Sequence, residues 1–492
     1  MKKICIKFIY LFAVAIVFIA TSCKNDEWDQ HYNNADSILS DKSLSEYIKS
    51  QPEMAKFYRM LEISGYDSIL DDSQTYTVWV PSNEALQNIN LNDTNNVKEI
   101  VSNHISRFSH STSGVTDKKL YMLSKKFIRF KLVDGNFLFG DSQVLSENIA
   151  TRNGIIYSIS GFQKYESSLW EAIDRMDNID SFRVFIRSLD RVDDYGNESN
   201  IILYYLGSLN LEDSIYTVIY PNNQAWIKAY NQVKPYFRMR PEEITLTRTQ
   251  DYYTKFYMLY NLSFRGRINP FTLDSVYSTT RNVFLNPGRL FEGATPISAS
   301  NGIIYLTDSL KFKATESWNK KIRIEAEQSY YGRSPNNANI YTRSSLGSEF
   351  KTSNDNYIIV DPTATSTLQK VSVTFPIPGT LATKYKIYCV FVPDRITEKD
   401  SNRPYIVNFF LDYINQNGET VKAEKLLQNQ ENDPSQITKM YVGEVTLPFC
   451  NPYISNSSIT VKLKVENAAK ASQTTTKSRA MKIDCVILEP VE

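Results

Sequence analysis

The sequence predicts an α+β multidomain protein: two tandem copies of one mixed α/β domain, then an all-β sandwich. Three observations predict it. A phrase occurs twice, as Thr-Tyr-Thr-Val-Trp-Val-Pro-Ser-Asn-Glu-Ala-Leu at 75–86 and Ile-Tyr-Thr-Val-Ile-Tyr-Pro-Asn-Asn-Gln-Ala-Trp at 215–226. A shorter phrase follows each copy, Arg-Asn-Gly-Ile-Ile-Tyr at 152–157 and Ser-Asn-Gly-Ile-Ile-Tyr at 300–305. From residue 322 onward, helical periodicity gives way to short runs of β-branched and aromatic residues. At roughly 150 residues per domain, a chain of 492 residues holds about three domains.

In the first copy, Leu44, Tyr47, Ile48, Met54, Phe57, Tyr58 and Leu61 recur at i, i+3 and i+4, which predicts amphipathic helices closed by Gly65. Residues 76–80 are a short β-rich run, and Pro81 fixes φ and ends it. Val78 and Val80 alternate with Trp79, as in a strand between two apolar layers. Ser82 or Asn83 is a natural N-cap for a helix opening at Glu84 and Ala85. Residues 97–108 carry a further helical pattern. Strands follow at 127–133 and 137–139 about an Asp-Gly-Asn turn, and at 155–159 after Asn153-Gly154. The second copy repeats the order: helical at 169–189, a strand at 216–220, a turn at Pro221-Asn222-Asn223, helices at 224–233 and 251–260, then strands near Val276 and Val283 and at 303–306. Asn83 and Asn223 are expected to satisfy the free N–H groups of the helix that follows each.

The last third predicts eight strands, at 322–326, 357–360, 371–375, 385–392, 405–414, 440–447, 459–465 and 483–488, with 329–345 as a loop. Cys389 and Cys485 sit in strand-like apolar runs and read as small core residues. With Cys450 they form an odd set that lacks metal-ligand spacing.

The N-terminus reads as an export signal. Lys2, Lys3 and Lys7 precede an apolar run at 8–20, too short for a comfortable membrane span. Ala-Thr-Ser before Cys23 resembles the bacterial lipoprotein cleavage box, with Ala20 where Leu is usual. The resemblance implies a signal peptide at 1–22, lipid attachment at Cys23 and a polar tether at 23–40. Such a protein is anchored to the membrane by lipid only. The polar stretch Lys-Asn-Asp-Glu after Cys23 resembles a signal for export to the outer face of the outer membrane.

The Tyr-Thr-Val-x-x-Pro-x-Asn-x-Ala phrase resembles the first signature of fasciclin-like domains. The Asn-Gly-Ile-Ile-Tyr phrase is similar to one near that domain's end, and His104 matches a histidine between them. The second copy carries Asn261 near the corresponding place. The resemblance covers about 40–315 and implies fasciclin-like domains at 41–165 and 166–315, each α/β with a β-wedge core. It further implies adhesion or binding at an extracellular surface, with Pro81, Asn83, His104, Pro221 and Asn223 as structural motif positions. The ends of the remaining 320–492 segment, Ile-Glu-Ala-Glu and Ile-Asp-Cys-Val-Ile-Leu, resemble jelly-roll carbohydrate-binding modules.

Chemistry is sparse elsewhere. Glu325 and Glu327, two apart on a strand, face one way, and with Asp484 they could hold a structural Ca²⁺. Tyr330, Tyr331 and Tyr341 are the candidate ligand-stacking rings. Of the three histidines, His31 is in the tether, and His104 and His110 are spaced wrongly for two ligands on one helical face. His104 reads as a hydrogen-bonded core residue. No phosphate loop or Gly-x-Ser-x-Gly phrase appears. With 55 Lys+Arg against 54 Asp+Glu, the charge balance argues against nucleic acid. The expected partner is an extracellular glycan or protein, bound without catalysis. The alternatives are an accessory partner of an outer-membrane glycan-uptake transporter and a glycoside hydrolase whose acids the sequence does not reveal.

Overall fold

The computed structural model describes residues 40–240, 249–451 and 458–491; the expected signal peptide, Cys23 and most of the expected tether lie outside the described residues. The chain forms two compact units, divided between Glu166 and Ser167.

In the first unit, seven strands form one sheet in the order Ile105–Arg107, Tyr76–Pro81, Gly154–Ile159, Ser142–Thr151, Asn136–Phe139, Phe127–Val133 and Asp117–Tyr121. The two phrases of the sequence are neighbours in it. Tyr76–Pro81 runs parallel to Gly154–Ile159, with Tyr76 opposite Gly154 and Trp79 opposite Tyr157. All six residues of Tyr76–Pro81 are buried. Val78 and Val80 face a core with Leu44, Phe57, Leu61 and Ile100, from the helices Leu44–Ser50, Ala55–Ser64 and Thr94–Ser102. Trp79 faces the opposite layer, stacked on Phe139 at 4.5 Å and against Tyr157 at 5.7 Å. The alternation in the sequence therefore divides helices from sheet.

The second unit begins with the same device. Tyr216–Pro221 runs parallel to Gly302–Thr307, with Tyr216 opposite Gly302 and Ile219 opposite Tyr305. Thr295–Ala299 and Ser263–Arg265 flank the pair in a four-stranded sheet. The helices Leu44–Ser50 and Leu169–Arg175 open alike, each with a capping box, Ser43 to Glu46 and Ser168 to Glu171. The copies diverge where the first builds its long antiparallel sheet. Among the described residues of the second, Thr295–Ala299 and the ribbon Ser275–Tyr277 with Val283–Leu285 stand in separate sheets, with the helix Gly288–Phe291 between them in the chain.

Three expectations for these regions need correction. The helix expected at 97–108 is Thr94–Ser102 and gives way to the strand Ile105–Arg107, because the sheet edge beside Tyr76–Pro81 recruits Ile105 opposite Val78. The helix expected at Glu84 forms only in the second copy, as Asn223–Val233. Residues 83–88 are turns. Here asparagines at 88, 90 and 92 disfavour a helix, and the Asn90 carboxamide accepts from the backbone of Asn92. Finally, neither Asn83 nor Asn223 caps the helix after it. The Asn83 side chain accepts from Lys56 N at 2.9 Å, and Asn223 from Ser181 N at 3.0 Å, so each holds the start of an earlier helix. Asn222 caps Asn223–Val233 instead, accepting from Ala225 N at 2.9 Å.

The rest of the second unit is two antiparallel sheets facing across one core. One runs Ala338–Ser344, Asn356–Pro362, Met481–Pro490, Lys384–Phe391 and Thr438–Thr446, with Ile322–Glu325 also paired to Met481–Pro490. The other runs Ser334–Asn336, Ser372–Pro376, Lys462–Asn467, Ile406–Ile414 and Thr420–Glu431. A strand overlaps each of the eight expected runs, but the expected loop at 329–345 contains two strands, and Thr420–Glu431 was not expected. All three are polar edge strands, where one exposed side leaves no apolar period to read. Cys389, Cys450 and Cys485 are buried and form no disulfide among the described residues. Leu381 and Cys450 lie in the core of the second repeat rather than in that of the sandwich. Backbone bonds join the same places, Ala382 N to Tyr236 O at 2.9 Å and Cys450 N to Arg238 O at 2.7 Å.

One charge pair is fully enclosed. The Lys482 ammonium donates to Asp394, and both side chains are under 5% exposed, at 4% and 2%. Ser401 Oγ donates to the second Asp394 oxygen at 3.1 Å, and Arg403 approaches it at 3.4 Å.

Candidate functional site

The repeated phrases are spent on structure. The Asn153 carboxamide donates to the carbonyls of Leu70 and Asp72, both at 2.8 Å, and accepts from Leu44 N at 2.9 Å. Asn301 makes the same three bonds, to Leu209 and Leu211 at 2.9 Å and from Leu169 N at 2.8 Å. Each asparagine ties a helix start to a loop and satisfies buried backbone that would otherwise be orphaned. Thr77 and Thr217 are also twins. Each accepts from a following backbone N–H and donates to a carbonyl, of Phe108 and Gly266 respectively. Pro81 and Pro221 end their strands and are buried. These positions leave no polar group aimed at a ligand.

His104 is fully buried. Its Nδ1 lies 2.7 Å from Ile100 O and its Nε2 accepts from Gln163 N at 3.0 Å, which fixes a neutral ring with the proton on Nδ1. Burial holds its pKa down to about 4. The residue in its place in the second copy is Leu262, not Asn261: Trp79 N bonds His104 O, and Ile219 N bonds Leu262 O. Asn261 matches Asn103. The Asn103 carboxamide donates to the Lys164 carbonyl, and Asn261 donates to Ser317, in each case a residue of the segment leaving the domain. His110 is held by Ser106 and Lys118, and burial followed by the nearby Lys118 charge lowers its pKa.

The sign of the resulting pH dependence follows. An unfolded histidine titrates near 6.5, so the unfolded chain binds more protons between about 6.5 and about 4. Stability is full above that window and falls as pH drops through it, by about 3 kcal/mol in all for His104. Urea unfolding of the first unit at pH 7 and pH 4.5 should show the loss. A His104→Gln variant should lose less between the two pH values, and an equal loss would refute the assignment.

The expected cation ligands are only partly brought together. Ile322–Glu325 ends before Glu327, which lies in a turn, so the shared-face argument fails for this pair. Glu325 instead meets Asp484 across Ser353. The single Ser353 hydroxyl lies 2.5 Å from Glu325 Oε2 and 2.6 Å from Asp484 Oδ1, and Ser353 N donates to the latter at 3.0 Å. One hydroxyl proton cannot serve both oxygens. Burial raises the Asp484 pKa, and Glu325 adds to the rise. Cys485 completes a potential ligand group with these two acids. Burial pushes its thiol up to about 12, so it is a poor partner for a hard cation. Glu327 Oε2 is buried and has no hydrogen-bond partner among the described residues.

The candidate rings do not form one platform. Tyr330 and Tyr331 touch edge-on at 5.1 Å, with Tyr330 exposed and Tyr331 packed on the sandwich core. Tyr341 lies on the edge strand Ala338–Ser344, beneath the Arg343 guanidinium at 5.4 Å.

A different surface was missed. On the outer face of the five-stranded sheet, Phe410 sits opposite Lys464, which is opposite Thr374; Asn408 and Asp412 flank Phe410, opposite Glu466 and Lys462. The Lys464 ammonium lies 5.0 Å from the Phe410 ring centroid and 2.7 Å from Glu466. Phe410 is half-buried, while Val407, Phe409 and Leu411 point into the core. The signal was legible. In Val-Asn-Phe-Phe-Leu-Asp, the period of two puts Asn408, Phe410 and Asp412 on the outer face.

Among the described residues, no helix is long and apolar enough to cross a membrane. Part of the chain is 26% identical to Stabilin-2 of Mus musculus over 195 residues, 37% of this chain and 7% of that protein, so the chain spans only a small part of this curated relative. Among solved structures, the chain is similar to a FAS1 domain pair from the insect cell adhesion molecule Fasciclin I, at 14% identity over 54% of this chain and 98% of that one, TM-score 0.22. It is similar also to the C-terminal family 22 carbohydrate binding module of Clostridium thermocellum Xyn10B, at 14% identity over 33% and 89%, TM-score 0.21. Residues 52–162 match the fasciclin domain family.

Proposed function

We propose that the protein is a lipoprotein of the outer membrane, anchored through Cys23 and facing the cell exterior, that binds an extracellular glycan without catalysing a reaction. Residues 166–315 act as a second fasciclin-like domain, a reading supported by the twin bonds of Asn153 and Asn301. The observation that carries the glycan reading is the outer face around Phe410. It offers one ring for a sugar's apolar face, and Asn408, Asp412, Lys464 and Glu466 beside it for hydroxyl groups. The non-catalytic reading draws on His104 and His110, whose ring nitrogens are engaged in structural contacts. Two substitutions test the proposal. On a glycan array, Phe410→Ala in the full chain should lose at least tenfold in binding with its melting temperature unchanged; an array on which the wild type binds nothing removes the glycan reading. Cys23→Ala should move the protein from the membrane to the soluble fraction, and retention on the membrane removes the anchor.

The Glu325, Asp484 and Ser353 oxygens match a hard divalent cation in kind, and a structural Ca²⁺ would relieve the crowding of two acids about one hydroxyl. Millimolar CaCl₂ should raise the melting temperature of the wild type but not that of Asp484→Asn. Equal responses would count against the site.

A further inference from the structure

We propose that the outward face of the hairpin Asp117–Tyr121 with Phe127–Val133, in the first unit, binds an acidic polysaccharide through Lys119, Arg129 and Lys131, with the Tyr121 ring beside them.

The charge is local. Residues 117–131 hold six Lys and Arg against one acid, Asp117, while the whole chain carries a net +1. Strand pairing decides which of them share a face. Lys119 stands opposite Arg129, Asp117 opposite Lys131 and Tyr121 opposite Phe127, so these six side chains lie on one side of the hairpin. Leu120, Ile128 and Phe130 take the other side and are buried in the core. Tyr121 is 54% exposed, its ring centroid 5.0 Å from that of Phe127. The Lys119 ammonium lies 4.0 Å from the Phe127 centroid. Arg129 bonds Asp117 at 2.8 Å, but both partners are exposed and such a pair is worth little. Among the described residues, neither Lys119 nor Lys131 is in an ion pair.

The fold does not require these cations. Like charges directly opposite each other on neighbouring strands are destabilising, and Lys119 with Arg129 is such a pair. Lysine on the edge strand Asp117–Tyr121 guards the sheet edge, but Arg129 and Lys131 belong to the next strand in. The second repeat supplies a control. Met122 N bonds Lys126 O as Ser278 N bonds Asn282 O, and Leu123 N bonds Ile105 O as Thr279 N bonds Ser263 O. Lys125 and Arg281 take the same positive φ of 65° in the two turns. The hairpins therefore match position by position: Tyr121 with Tyr277, Lys119 with Ser275 and Arg129 with Leu285. The second closes equally well with a serine and a leucine in place of the two cations.

The make-up of the face says what fits it. An ammonium and a guanidinium side by side pair with carboxylate or sulfate oxygens, and a ring beside them takes the apolar face of a sugar. Nucleic acid is the poorer match, because its binders are basic overall and this chain is balanced. The inference stands on the difference between the two hairpins, not on Phe410, and failure of either leaves the other standing.

The test measures binding of the full chain to polygalacturonate and to dextran sulfate, with neutral dextran and an oligo(dT) strand as comparisons. Binding to at least one acidic polysaccharide is expected, falling steeply between about 0.05 and about 0.5 M NaCl. Lys119→Ser with Arg129→Leu, the residues of the second hairpin, should weaken it about tenfold or more. The melting temperature of this double variant should not fall. Lys131→Gln should weaken binding by a smaller factor, whereas Lys228→Gln, an exposed cation of the second unit, should leave it unchanged. The proposal is overturned if neither acidic polysaccharide binds, or if the double variant and Lys131→Gln both bind as the wild type does. It is overturned also if Lys228→Gln weakens binding as much as Lys131→Gln, or if oligo(dT) binds as tightly as the polysaccharide.

Discussion

Gly302→Ala is expected to destabilise the second unit by about 3 kcal/mol or more, and Gly154→Ala the first unit by as much. A Cβ at Gly302 would overlap the carbonyl oxygen of Tyr216 and come within 2.8 Å of Leu169 Cδ1; at Gly154 it would meet Tyr76 and Leu44 in the same way. The obstacle in each case is backbone, held in a parallel pair and fastened by the neighbouring asparagine, so it cannot retreat as a flexible side chain would. The glycine in the repeated Asn-Gly-Ile-Ile-Tyr phrase thus permits close approach rather than a positive φ. Hydrogen exchange under urea reads the two units separately. Each substitution should loosen its own unit and leave the other alone. A loss below about 1 kcal/mol in either would show that the strand pair can part to admit a methyl group.

Lys482→Met should cost a comparable amount, about 3–5 kcal/mol, by leaving Asp394 enclosed without its main counter-charge. Arg403 offsets little of this, because it stands at 3.4 Å and also serves Glu398. The double variant Asp394→Leu with Lys482→Met should recover most of the loss, since a well-packed apolar pair often matches a buried ion pair. Urea unfolding of the three proteins decides it. A single variant within about 1 kcal/mol of wild type would mean that water reaches the pair.

Much of the fold was legible because burial imposes a period. The alternation of Val78, Trp79 and Val80 gave the central strand and both of its layers, and the sandwich's buried strands announced themselves the same way. Where one side faces water the period fades, which hid Ala338–Ser344 and Thr420–Glu431. Asn83 and Asn223 were misread for a different reason. A side chain beside a helix start looks like its cap, but their partners, Lys56 and Ser181, are distant in sequence. The cation ligands failed similarly at Glu327, since spacing argues for a shared face only while the strand continues. Phe410 went unseen because it follows Phe409 in an apolar run, although the outward parity was there to read.

The sharing of Leu381 and Cys450 with the core of the second repeat has a mechanical consequence. The sandwich is welded to that repeat by packed side chains and backbone bonds rather than strung from it by a linker. Load applied to the sandwich passes into the repeat at Tyr236 and Arg238, so the pair will yield as one body. Cutting the chain near residue 320 would tear a core open, and the sandwich is not a cassette to be moved alone.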